Sequence, residues 1–162
     1  MSAKIDPIPS GFHSFTPYLL FPKAAPAIDF YKSAFGAVER FRIAGAAEGS
    51  VGHAEIVIGN SIIMLADEPP CPGPKSPATL GGTSANFVLY VEDCDATFHQ
   101  ALAAGATSFQ ALEDKFYGDR AGCVLDPFGY YWTLMTHKED VPPEEMERRI
   151  AKFMADLPAS QG

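Results

Sequence analysis

Two residues of this 162-residue chain have the types and spacing for acid–base chemistry: His53 and Glu55. Two positions apart in a stretch that reads as a strand, they project from the same face. A carboxylate beside an imidazole can hold its tautomer and raise its proton affinity, which makes a general base or acid. A solvated or hydrogen-bonded pair on a half-exposed strand is the plainer reading of the same two residues. Arg120 is the next candidate. It follows Phe116, Tyr117 and Asp119 in an apparent loop, where its guanidinium fork could clamp an anionic or carbonyl-bearing ligand; an ion pair with Asp119 or Asp126 is the alternative. His13, His99 and His137 fall before a strand, on a helix and after the last strand, where structural or solvent roles are expected. Cys71, Cys94 and Cys123 have no paired spacing and read as free thiols. The sequence has no Gly-rich phosphate loop, no nucleophile elbow and no C-x-x-C pair.

The elements that must position these residues come in two copies. Gly36-Ala37 closes a helical stretch through Phe30 and Tyr31, and Gly105-Ala106 closes a matching one through Phe98 and His99, 69 positions on. Gly59-Asn60, between two apolar strands, is echoed at the same offset by Phe128-Gly129. Each copy reads as βαβββ. The first has a strand at 16–21, a helix at 25–35 and strands at 38–43, 50–58 and 61–66; the second has a strand at 86–91, a helix at 94–104 and strands near 107–111, 122–126 and 130–136. Between the units, five prolines and a glycine in 67–77 forbid regular structure and mark a linker or lid. The tail carries Met146, Ile150, Phe153, Met154 and Leu157 on one stripe after Pro142-Pro143, an amphipathic helix that packs on its own sheet or on a second subunit. The expected fold class is α+β, a single domain over 1–162. Unit one covers about 14–67, the linker 67–82, unit two about 84–137 and the tail helix about 142–157.

With 20 acidic against 12 basic residues and a net charge of −8, neither nucleic acid nor an anionic membrane surface is expected as a partner. The start lacks an apolar signal region, no stretch approaches a spanning helix, and a cytoplasmic protein is expected.

Two βαβββ units with Ile28-Asp29-Phe30-Tyr31 before Phe35-Gly36-Ala37, and Asp126-Pro127-Phe128-Gly129-Tyr130 before the last strand, resemble the glyoxalase, bleomycin-resistance and dioxygenase superfamily, the vicinal oxygen chelate proteins, over about residues 14–137. Phe116 to Gly122, the following Asp-Pro-Phe-Gly and Trp132 are similar to its PhnB-like branch. The resemblance implies paired units whose curved mixed sheets enclose a cleft, and a homodimer. It also implies metal ligands at four positions, occupied here by Thr16, Met64, Asn86 and Thr133. Hydroxyl, thioether and amide groups cannot replace imidazole and carboxylate donors, so no metal and no cofactor are expected.

A two-residue turn at Gly59-Asn60 sets Val57 opposite Ile62, Glu55 opposite Met64 and His53 opposite Ala66. The ligand-facing side of unit one then carries Thr16, Tyr18, His53, Glu55, Ile62 and Met64. That of unit two carries Asn86, Val88, Tyr90, Tyr131, Thr133 and Met135, with Tyr117 and Arg120 on a loop nearby. Trp132 and Leu134 alternate away, toward the helices. Aromatic and thioether surface with a few polar groups suits a small organic ligand. The expected function is therefore metal-independent binding of such a ligand. The alternative is a lyase or isomerase-like enzyme using His53 and Glu55 for proton transfer, possibly with a variant divalent-metal site. A weaker third reading is an assembly module centred on the tail helix.

Overall fold

The computed structural model describes residues 5–156. Unit one is built from β1 (Tyr18–Phe21), α1 (Ala24–Phe35), β2 (Val38–Ala44), β3 (Val51–Ile58) and β4 (Ser61–Asp67). After a one-turn helix, α2 (Pro77–Leu80), unit two repeats the order with β5 (Asn86–Tyr90), α3 (Cys94–Ala104), β6 (Thr107–Asp114), β7 (Asp119–Leu125) and β8 (Tyr131–His137), and α4 (Pro143–Asp156) ends the described chain. Each unit folds one four-stranded mixed sheet, in the orders β1-β4-β3-β2 and β5-β8-β7-β6, with the first strand parallel to the last.

The duplication extends to how each helix is started. At the end of β4, Asp67 Oδ1 accepts from Ala24 N–H, at the head of α1, at 2.7 Å. Sixty-nine positions later, Thr136 Oγ1 accepts from Cys94 N–H at 2.8 Å. A helix leaves its first N–H groups unpaired, and both units satisfy one of them with the strand beside it. Gly36 and Gly105 end the two helices in the left-handed conformation, as the paired glycines suggested.

The helices α1 and α3 pack on each other, and one buried cluster joins both units: Phe21, Ile28, Tyr31, Ile56 and Leu65 from the first, Phe98, Trp132 and Leu134 from the second. Trp132 and Leu134 do point to this core. Its polar centre is Asp126, almost fully buried, with four donors around it. Tyr31 Oη donates at 2.7 Å and Trp132 Nε1 at 3.0 Å to one oxygen, and the N–H groups of Phe128 and Tyr130 donate at 2.9 Å to the other. Burial pushes this carboxyl up while the donors pull it down.

Several boundaries differ from the sequence reading. The linker is not free of regular structure: Pro77 opens α2, where its missing N–H costs nothing, and the buried Ser76 caps it. Glu68 accepts from Ser76 N–H and Thr79 Oγ1, so the segment folds back on itself. Strand β1 starts at Tyr18 and leaves Thr16 outside it; β7 starts at Asp119, three residues earlier than expected. No residue of α4 is buried, and the helix contacts the β6–β7 turn at Phe116 and the segment after β8 at Glu139. Leu157 lies outside the described residues.

Candidate functional site

The Gly59-Asn60 turn pairs Ile58 with Ser61, Val57 with Ile62 and Glu55 with Met64, and Tyr18 lies beside Met64 across the parallel β1–β4 ladder. This register gathers Tyr18, His53, Glu55 and Met64 on the side of the first sheet that faces away from the helices. The Tyr18 hydroxyl is 3.2 Å from His53 Nδ1, and the rings meet edge to face. His53 Nε2 lies 3.7 Å from Glu55 Oε1, longer than a hydrogen bond. The other Glu55 oxygen accepts from Arg40 Nη1 at 2.9 Å, and the Arg40 guanidinium sits over the ring of Phe12. Phe41 tilts against His53. The result is a line of polar groups, Tyr18, His53, Glu55 and Arg40, edged by aromatic rings. Glu55 is only 6 % exposed whereas Tyr18 is 52 % exposed.

Arg40 and Phe41 reach this face together because of a bulge. Glu39 pairs with Ile56 and Phe41 with Glu55, so Arg40 is an extra residue in β2 and two neighbours point the same way. Strict alternation would have sent one of them to the core.

The corresponding face of the second sheet carries Asn86, Val88, Tyr90, Tyr131 and Thr133. Asn86 and Thr133 hydrogen-bond each other at 3.0 and 3.1 Å, which pairs two of the four positions where the resemblance implies metal ligands with each other. A second bulge at Phe109 lays that ring 4.6 Å from Tyr131. Tyr90, 59 % exposed, donates to Asp119 Oδ2 at 2.8 Å, and the carboxylate raises the phenol's pKa. No hydrogen bond or ring contact among the described residues links Tyr18, His53 or Glu55 to Tyr90, Tyr131 or Thr133. Within one chain the helices, not these faces, come together. Thr16 and Ile62 of unit one do meet Asn86 and Val88 of unit two across one hollow, which Phe87 and Trp132 also line.

Arg120 is placed differently from the expectation. It projects from the opposite side of β7 toward α3, where Asp95 binds it at 2.5 and 2.7 Å and Asp114 at 3.2 Å. The expected partners Asp119 and Asp126 do not hold it; Asp119 faces the other way and Asp126 is caged in the core. These bonds hold the guanidinium proton more tightly than usual and the Asp95 carboxyl below the ordinary range. Tyr117 sits in the β6–β7 turn beside α4, in a hollow lined also by Phe116, Lys152 and Phe153.

Among the described residues, no group of three His, Cys, Asp or Glu side chains converges as a metal site. The donor set at Thr16, Met64, Asn86 and Thr133 does not fit a divalent transition metal. No helix among the described residues is long and apolar enough to cross a membrane.

Comparison with known proteins fits this architecture. An uncharacterised protein of Mycobacterium tuberculosis, Rv0887c, is 44 % identical over 139 residues, covering 84 % of this chain and 81 % of its own. The crystal structure of TioX from Micromonospora sp. ML1 superposes with a TM-score of 0.62 at 28 % identity, covering 77 % of this chain and 98 % of that one. The gene product At5g48480 of Arabidopsis thaliana gives a TM-score of 0.61 at 32 % identity, over 76 % and 98 % of the two chains. The sequence profile that matches residues 14–134 spans both βαβββ units, and by it the chain belongs to the Glyoxalase/Bleomycin resistance protein/Dioxygenase superfamily.

Proposed function

We propose that this protein binds a small organic ligand with aromatic or amphipathic surface, that it does so without a metal, and that it sequesters the ligand. The carrying observation is the outer face of the first sheet. Tyr18 and Phe41 stand half-exposed around His53, giving ring surface for affinity and a few polar atoms for orientation. Sequestration is favoured over turnover because Glu55, the obvious proton acceptor, is already engaged by Arg40 and lies out of hydrogen-bond reach of His53. The poor donors at the implied metal positions support metal independence. A second copy of the chain is the partner this reading calls for, since Tyr18, Ile43, Val88, Tyr90 and Phe109 stay exposed in one copy. Three unpaired cysteines fit a reducing compartment such as the cytoplasm.

The test is titration of chelator-treated protein with 1-anilinonaphthalene-8-sulfonate, an aromatic anion, followed by fluorescence and calorimetry. Saturable binding that is unchanged by chelator and weakened about tenfold in Tyr18→Ala, the loss expected when one aromatic contact is removed, supports the reading. Binding that appears only after Zn, Ni, Mn or Fe(II) is added, or that ignores Tyr18→Ala and Phe41→Ala, overturns it. The second reading, proton transfer by His53 and Glu55, draws on the contact between Tyr18 and His53 Nδ1. It requires that His53→Ala abolish turnover of a substrate while the fold stays intact.

A further inference from the structure

His137, the last residue of β8, has a carboxylate at each ring nitrogen. Nδ1 is 2.7 Å from Asp119 Oδ1 and Nε2 is 3.0 Å from Asp140 Oδ1. The two partners differ in kind. Asp119 is 5 % exposed, rigid in β7 and tied by its other oxygen to Tyr90; Asp140 is fully exposed on the segment that leads to α4.

That segment is what attaches α4 to the body. Lys138 N–H and Glu139 N–H both donate to Gly118 O, at 2.9 and 3.0 Å. Gly118 has φ +99°, and a Cβ there would overlap Glu139 O, so the segment wraps closely around this one residue. Glu139 then holds Arg149 of α4 by two bonds of 2.8 Å, Arg149 Nη1 reaches Phe116 O at 3.3 Å, and the Phe153 ring tilts against Phe116. With no buried residue of its own, a 14-residue helix is marginal in water, so these few contacts decide whether it stays in place.

We infer that His137 is a pH-sensitive latch: doubly protonated, it bridges Asp119 and Asp140 and fixes the segment that carries α4, and on losing one proton it releases the Asp140 end. The argument is a count of donors. The imidazolium has two N–H groups for two acceptors, whereas neutral imidazole has one. The buried Asp119 keeps the remaining N–H, and the Nε2 lone pair then faces a carboxylate. The charged and titratable groups around the ring are Asp119 from β7 and Asp140 from its own segment, with Tyr90 of β5 behind Asp119 and the Glu139–Arg149 pair of the segment and α4 beyond. Both carboxylates raise the His137 pKa, Asp119 more than Asp140. Because the folded-state value is raised, the latch is closed below the ordinary histidine value near 6.5 and opens as pH rises through the folded value. The inference does not rest on the proposed ligand.

The test has two readouts on the full-length protein without ligand. An NMR titration of the His137 ring should give a pKa above that of an unperturbed histidine, moved down by Asp140→Asn, a substitution at a fully exposed side chain. Hydrogen exchange of the α4 amides, corrected for the intrinsic pH dependence of exchange, should lose about threefold protection across that pKa, the size an exposed charged contact carries. In Asp140→Asn the protection should be flat with pH, because an amide can pair with the ring in either protonation state. An unraised His137 pKa, or an α4 protection profile without a step at it, overturns the latch. So does a profile that Asp140→Asn leaves unchanged. None of these outcomes bears on whether the sheet faces bind a ligand.

Discussion

Arg40 is the residue on which the first sheet's polar line depends. Its guanidinium is the only hydrogen-bonding partner of the Glu55 side chain among the described residues, and Glu55 is nearly buried. Removing one member of such a pair leaves a charge without compensation. Arg40→Leu should lower stability by about 2 kcal/mol in urea unfolding, less than for a fully buried pair because Arg40 is partly exposed. Adding Glu55→Leu should recover most of that loss; a double variant as unstable as the single would show that the pair is not the cause. At the same scale, Tyr31→Phe removes one of four donors from the caged Asp126 and should cost about 1.5 kcal/mol, whereas Asp126→Ala leaves two buried side-chain donors and two N–H groups unpaired and should cost more than 3 kcal/mol. Equal effects from the two changes would mean that Asp126 does not organise the cluster.

Among the elements, the Asp126–Tyr130 turn has the tightest requirement. Gly129 sits at φ +92°, and a Cβ there would come 2.8 Å from Pro77 Cβ, at the start of α2. Gly129→Ala should therefore destabilise by about 2 kcal/mol or more, from the left-handed backbone and the clash together, and loosen the 68–80 segment. Limited proteolysis within 69–75 compared with wild type would check this; an unchanged cutting rate would show that α2 does not lean on the turn. The element pattern was legible to different depths. Paired glycines and helical spacing placed both βαβββ units, and the two-residue turn at Gly59-Asn60 set the pairing of Glu55 with Met64 because a turn that short allows one register. Arg40 was missed because a bulge breaks the alternation on which facing was judged. Arg120 was read as a loop residue because β7 begins at Asp119, earlier than the pattern suggests, and its partner Asp95 lies on a helix 25 residues away, a contact that no local pattern reports. The same early start of β7 brings Asp119 to His137, which position alone had assigned a structural or solvent role.

At the scale of the molecule, the two units share one core and should unfold as one. Trp132, the single tryptophan, lies in unit two but packs on Tyr31 and Phe35 of α1. Its fluorescence and the far-ultraviolet circular dichroism of the whole chain should therefore change at the same urea concentration. Separate midpoints would show that the core divides at the α1–α3 contact. The join between the units also does something for β1 that a neighbouring strand would ordinarily do. The Tyr130 hydroxyl donates to Leu20 O at 3.0 Å and accepts from Leu20 N–H at 3.3 Å, so one phenol from unit two occupies both backbone groups in the middle of a four-residue edge strand. An open edge invites another chain to add on and aggregate. Tyr130 thus acts as a stopper that blocks intermolecular strand addition at Leu20 of β1 while the units stay together, so the solubility of the first half is guarded by a side chain of the second.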